Sequence, residues 1–190
     1  MHKKTKRLAG TGLLTAVVIV LQLLAIIIRP TGIFNITLCL VPIVVGAAIY
    51  GIGAGAWLGF VFGAVVLATD SSLFLAINPI GTVVTVLLKG LFAGLASAVA
   101  YKLLSRINIW AGTIGAAIIC PVVNTGTFVI GCHLFFMDAI NGWAAEAGYA
   151  DGGLYLIAVI VGVNFLIELG VNALLSSAIV RIISAGKNMH

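Results

Sequence analysis

Charge is nearly missing from this chain. Only 8% of its 190 residues are charged, carboxylates number five, and there are three cysteines and four prolines. Soluble domains carry about a quarter charged residues, so this scarcity excludes an ordinary water-soluble globule. Cys39, Cys120 and Cys132 fall within apolar segments and have no metal-ligand spacing, so they read as small core side chains and imply neither a disulfide nor a metal site. A nucleophile motif, a metal triad, a phosphate-binding glycine loop and a nucleotide-binding sequence are all lacking, and no cofactor is expected. Any uphill work must therefore draw on a partner or an ion gradient. The net charge of +5 does not indicate nucleic acid either. Its basic residues sit at the chain ends and in one loop, where they orient membrane proteins.

What the chain has instead is apolar length. Hydrophobic residues make up 62% of it, and the mean hydropathy is +1.26. At about 20 residues per crossing, the chain has room for roughly five to seven helices and no soluble domain. We expect an all-α integral membrane protein, residues 1–190 forming one compact six-helix bundle. The expected spans are about 8–28, 36–51, 53–69, 80–104, 109–137 and 154–183. The basic start and apolar run mimic a signal peptide, but the run reaches Ile28 without a small-residue cleavage site, so a retained first helix is expected. Arg29-Pro30-Thr31-Gly32 should end it. Ile36 to Thr69 is apolar throughout. As one helix it would run about 51 Å against a ~30 Å hydrocarbon core, so it must turn back, most naturally at Gly51-Ile52-Gly53.

Ala47, Gly51, Gly55, Gly59 and Gly63 recur every fourth residue, a ridge of missing side chains that lets helix backbones approach. Asp70 to Pro79 reads as a loop with an apolar middle that could dip into the bundle as a lid. Asp138 to Gly153 reads as the longest loop. Pro121 should kink the fifth span and free a carbonyl beside Asn124, and a broken helix beside a buried polar group often lines a site. Asn35-Ile36-Thr37 matches a glycosylation sequon by chance next to the membrane.

Six crossings put both termini on one side, together with Lys3, Lys4, Lys6, Arg7, Lys102, Arg106, Arg181 and Lys187. By the positive-inside rule that side is cytoplasmic. Arg29, Asp70, Asp138, Glu146 and Asp151 fall on the other side. Only Lys89 and Glu168 remain at membrane depth, where an ionisable group marks a functional site by default. Glu168 lies between Asn164 and Asn172 at four-residue spacing, so the three share one helix face. This face reads as one wall of a small-molecule cavity, with Asn78, Lys89 and Asn124 completing the candidate binding set. Two alternatives stay open for the charges: they meet a polar ligand, or they pair with each other and fix helix packing. His133 is a candidate at the cavity mouth or an interfacial residue. Two rivals from other classes are an intramembrane enzyme using Glu168 and His133, and a structural subunit whose buried polar groups serve assembly.

The ordered set Val41-Pro42-Ile43-Val44-Val45-Gly46, Gly51-x-Gly53-Ala54-Gly55-x-x-x-Gly59, Asn78-Pro79, Lys89-Gly90-x-x-Ala93-Gly94, Pro121-Val122-Val123-Asn124-Thr125-Gly126 and the Asn164/Glu168/Asn172 face resembles the substrate-binding S component of energy-coupling factor (ECF) transporters. The likeness spans nearly the whole chain. It implies high-affinity binding of a water-soluble vitamin or related micronutrient near the outer face, without an ATPase of its own. It further implies docking on a transmembrane T component driven by two cytoplasmic ATPases, toppling in the membrane for release, and location in a bacterial plasma membrane. The family's Ala-x-x-x-Ala docking pattern has its nearest match here at Gly12-x-x-x-Ala16. Within that resemblance, a lysine among carboxamides suits a small carboxylate-bearing ligand, with pantothenate favoured. Riboflavin would call for more aromatic stacking than Trp143 and Tyr155 offer.

Overall fold

The computed structural model describes residues 3–27 and 38–188, and every regular element in them is helical. In order these are α1 (Lys3–Ile27), α2 (Leu40–Tyr50), α3 (Ile52–Asp70), α4 (Ser72–Ile77), α5 (Pro79–Leu104), α6 (Ile109–Phe135), α7 (Met137–Glu146) and α8 (Gly152–Tyr155). A π-helical stretch, Leu156–Gly162, then leads into α9 (Val163–Asn188). The expected turn at Arg29–Gly32 and the Asn35 sequon lie outside the described residues.

Among the described residues, five helices are long and apolar enough to cross a membrane: α1, α3, α5, α6 and the continuous run from Gly152 into α9. The expected span 36–51 is described from residue 38 onward. Its described helix, α2, has 11 residues, about 16 Å of axis, which is short of a hydrocarbon core. Leu40, Ile43 and Val44 on it are fully buried, joined by Val18 of α1, Leu58 of α3 and Ile179 and Ile183 of α9. Apolar helices this short are often core helices, and hydropathy cannot tell lipid from protein interior. The chain reverses between α2 and α3 through Gly51, whose φ of +83° is open to glycine and strained for other residues.

The glycine ridge fixes the central packing. A Cβ on Gly55 would lie 2.6 Å from the Gly94 carbonyl oxygen, and one on Gly63 would lie 2.7 Å from that of Val86. Between them Gly59 and Gly90 meet backbone to backbone. The register 55/94, 59/90, 63/86 makes α3 and α5 antiparallel along three consecutive turns. On its other side α5 packs against α6, also antiparallel, with Gly131 on Thr85, the Ser97 hydroxyl donating to the Ala116 carbonyl at 3.3 Å, and Gly112 on Ser105. Pro121 lies inside α6, which runs through it.

Caps set the ends of the helices. The Asn78 side chain accepts from Gly81 N–H at 2.9 Å with Pro79 in the first helical turn, and Asn108 accepts from Ala111 N–H at 2.6 Å, as helix starts require. Both expected loops contain helix. The 70–79 stretch holds α4, and 138–153 holds α7 and the start of α8. In α7, Ile140 and Ala144 are buried one turn apart while Asp138 lies in the first turn, where a carboxylate favours the helix dipole. The polar side chains that signal a loop are here the outer face of a short amphipathic helix.

Gly59→Ala is expected to lower stability by about 1–3 kcal/mol, because the new methyl meets a backbone oxygen that cannot rotate away. Gly170→Ala, whose Cβ would meet nothing within 4 Å, should be neutral or stabilising. Thermal unfolding in detergent, read by a thiol-reactive dye on the buried Cys39, Cys120 and Cys132, separates the two. Equal melting temperatures would contradict the ridge contact.

Candidate functional site

Packing Gly90 against α3 rotates Lys89, one residue earlier, about 100° around α5, toward α6. There its ammonium lies 4.9 Å from the centroid of Phe128, within the range of a cation–π contact. Lys89 and Phe128 line a cavity of about 520 Å³ enclosed by α1, α3, α4, α5, α6, the π-helical stretch and α9. The cavity lies toward the C-terminal ends of α1, α3 and α6, away from the basic N-terminus of α1.

Its polar side chains come from separate segments: Gln22, Asp70, Ser71, Ser72, Lys89, Asn124, Thr125, Asn164 and Glu168. Asn124 is 7% exposed, and its carbonyl oxygen has no hydrogen-bond partner among the described residues. A buried acceptor in that state costs about 1–3 kcal/mol, which a ligand donor would recover. Glu168 is likewise 7% exposed. The cavity thus holds one cation and two carboxylates at its wall, separated by carboxamides and hydroxyls. Apolar surface fills the rest, including Phe62, Phe74, Phe128 and Phe165. Among the described residues, no group of three His, Cys, Asp or Glu could hold a metal ion.

Four of the six expected binding residues, Lys89, Asn124, Asn164 and Glu168, are brought together on this cavity. Asn78 and Asn172 are not in its lining. The Asn78 side chain caps α5. Asn172 is fully buried one turn beyond Glu168, and its amide nitrogen donates to the Glu168 backbone carbonyl at 2.8 Å. His133 is exposed and also absent from the lining, so it does not face Glu168 as an enzyme pair would.

Sequence reading missed Gln22, Asp70 and the phenylalanines. Gln22 is 4% exposed and accepts from the Cys39 thiol at 3.4 Å. As the one carboxamide in the apolar run of α1, it carried a legible signal. The phenylalanines carried none, since a phenylalanine facing a cavity and one facing lipid look alike in sequence. The aromatic supply is therefore larger than Trp143 and Tyr155. Trp143 supports the wall from behind, edge to face with Phe74 at 6.0 Å, and Phe74 also meets Phe128 at 5.7 Å and Phe136 at 5.0 Å. Tyr155 pairs with Tyr149 instead. Through these contacts α4 covers the cavity, and its Ser72, Leu73 and Phe74 line it.

Gly12 and Ala16 are exposed on α1, and a Cβ on Gly12 would meet nothing within 4 Å. The Gly55/Gly59/Gly63 ridge, by contrast, is consumed within the bundle by α5.

No curated protein and no solved structure matches the chain. A family model does: that of the ECF transporter substrate-specific component matches residues 6–180. That range takes in α1 from Lys6 onward, the glycine ridge, α4 and every polar residue of the cavity. The chain belongs to the substrate-specific components of ECF transporters, the membrane-embedded binding subunits of micronutrient uptake systems.

Proposed function

We propose that the cavity binds a small water-soluble vitamin bearing a carboxylate, with pantothenate the favoured ligand. The observation that carries this reading is the buried carbonyl oxygen of Asn124, without a partner among the described residues, in the same cavity of about 520 Å³ as the Lys89 ammonium. Lys89 receives the carboxylate. Asn124 accepts from an amide or hydroxyl, Asn164 and Glu168 bind further hydroxyls, and the phenylalanines cover the apolar part. The volume supports a compact ligand, as pockets of roughly 300–1,000 Å³ take small molecules. Asn78 and Asn172 act through α5 and α9 rather than by contact.

Transport in this reading depends on a T component and two cytoplasmic ATPases, with both termini cytoplasmic in a bacterial plasma membrane. The exposed Gly12 and Ala16 face of α1 is the docking surface, since small residues let a partner helix approach.

Mass spectrometry of small molecules released from the purified protein tests the assignment directly; no retained acid would defeat it. Lys89→Met keeps apolar bulk without the charge. It should weaken pantothenate binding about ten- to hundredfold, the equivalent of a charged hydrogen bond of about 1.5–3 kcal/mol, and spare its neutral alcohol analogue. If Lys89 and Glu168 are instead a structural pair, the variant loses thermal stability without ligand and keeps its selectivity.

Calorimetry on Asn124→Leu should show a comparable loss of affinity, whereas Asn172→Leu should bind as the wild type does. The reverse order would move the site one turn along α9. Gly12→Trp and Ala16→Trp should retain ligand in detergent and lose ATP-dependent uptake in vesicles containing the partner proteins. Normal uptake by both would place docking elsewhere.

A further inference from the structure

A second cavity, of about 550 Å³, opens between the N-terminal halves of α1 and α3, and it differs in chemistry from the first. It is lined by Lys4, Arg7, Leu8, Thr11, Gly12 and Thr15 of α1, across from Gly53, Ala54 and Trp57 of α3. The α1 residues recur at three- and four-residue intervals, so one face of that helix supplies the whole wall.

Two features define what fits there. Two polar side chains in the middle of the groove are already engaged: the Trp57 indole N–H donates to the Thr15 hydroxyl at 3.1 Å, and that hydroxyl donates to the Thr11 carbonyl at 2.8 Å. Leu8, Gly12, Ala54 and the Trp57 ring therefore form an apolar trough. At its end lie Lys4 and Arg7, with no carboxylate in the lining. They sit nearly one turn apart, and the Arg7 guanidinium lies across Gly53, where a Cβ would come within 3.3 Å of it. Gly53 leaves room for that cation beside α3.

We infer that this groove is a binding site for one anionic phospholipid, its phosphate held by Arg7 and Lys4 and an acyl chain lying along Leu8, Gly12 and Trp57. A cation pair with no carboxylate in the groove's lining, above an apolar trough, complements an anionic head on a hydrocarbon tail. Guanidinium binds phosphate through paired N–H groups. An indole with one polar edge suits the boundary between headgroups and chains, and basic pockets between membrane helices are recognised sites for acidic headgroups. A soluble vitamin fits poorly, because the Trp57 indole and the Thr15 hydroxyl are already engaged and the Thr11 hydroxyl alone is a thin set of groups to read it. The site stands apart from the cavity around Lys89 and does not depend on the ligand bound there. It borders Gly12, so a lipid seated here would have to leave or shift when a partner helix docks on that stretch of α1.

Native mass spectrometry of the full chain in mild detergent tests this, with an equimolar mixture of phosphatidylglycerol and phosphatidylcholine of the same chain length. The wild type should retain phosphatidylglycerol several-fold over phosphatidylcholine. In Lys4→Gln/Arg7→Gln the ratio should fall to near one. In Lys102→Gln/Arg106→Gln, which removes the same charge from exposed positions outside the groove, it should stay at the wild-type level. Gly12→Leu, which fills the trough at an unobstructed position, should lower retention of both lipids. The inference is overturned if the wild type shows no preference, if the preference survives in Lys4→Gln/Arg7→Gln, or if both double variants lose it equally, which would make it an effect of net charge. Displacement of the lipid by inorganic phosphate alone would reduce the site to an anion site. Failure to retain either lipid, with the groove protected only in complex with the transporter's other subunits, would make it a protein-docking surface.

Discussion

The backbone contact between α3 and α5 is the constraint on which the rest of the structure depends. Hydrophobic residues offer no preference for protein over lipid inside a membrane, so helices associate there through close packing and polar contacts. Gly55, Gly59 and Gly63 on one helix and Gly90 and Gly94 on the other let the two axes approach until carbonyls meet α-carbons. That approach fixes register over three turns and fixes rotation as well, because turning either helix would drive a side chain into the contact. Once α5 is locked, Lys89 has one direction left to it, into the space between α3 and α6.

The cavity follows from this geometry. Close packing at the ridge and at α5/α6 leaves room only where the larger side chains Phe62, Phe128 and Phe165 hold the helices apart. Into that room project the groups that membrane burial makes costly: an ammonium, two carboxylates and an unpartnered carboxamide oxygen. A bundle selected for stability alone would be expected to replace these with apolar residues. Their retention beside a covering helix, α4, whose Phe74 is pinned by three other aromatic rings, is the arrangement of a binding subunit.

The two ends of the bundle are chemically distinct. Toward the C-terminal end of α3 lie Asp70, the hydroxyls and the cavity; toward its N-terminal end lie Lys4, Arg7 and the apolar groove. This separation puts the proposed solute site at one end and the proposed lipid and docking surfaces at the other. Helix α1 reaches both. Its Gln22 lines the cavity and its Gly12 borders the groove, with exposed leucines and valines between. It is the element through which events at the two ends can be coupled.

The sequence by itself determined the class of the protein, its helical content, the packing ridge and the two intramembrane charges. Each of these follows from composition or from four-residue periodicity, which one helix carries without help from its neighbours. It also determined that Asn164, Glu168 and Asn172 share a face. Only the tertiary structure decided that Asn164 and Glu168 reach the cavity while Asn172 lies buried beyond it, because the depth at which a cavity ends is set by neighbouring helices. In the same way Asn78 became a helix cap, Gln22 and four phenylalanines became cavity wall, and the helix described within the expected second span, α2, packed into the core. Hydropathy measures the cost of leaving water, and a side chain leaves water equally well for lipid, for a protein core or for the wall of a binding site.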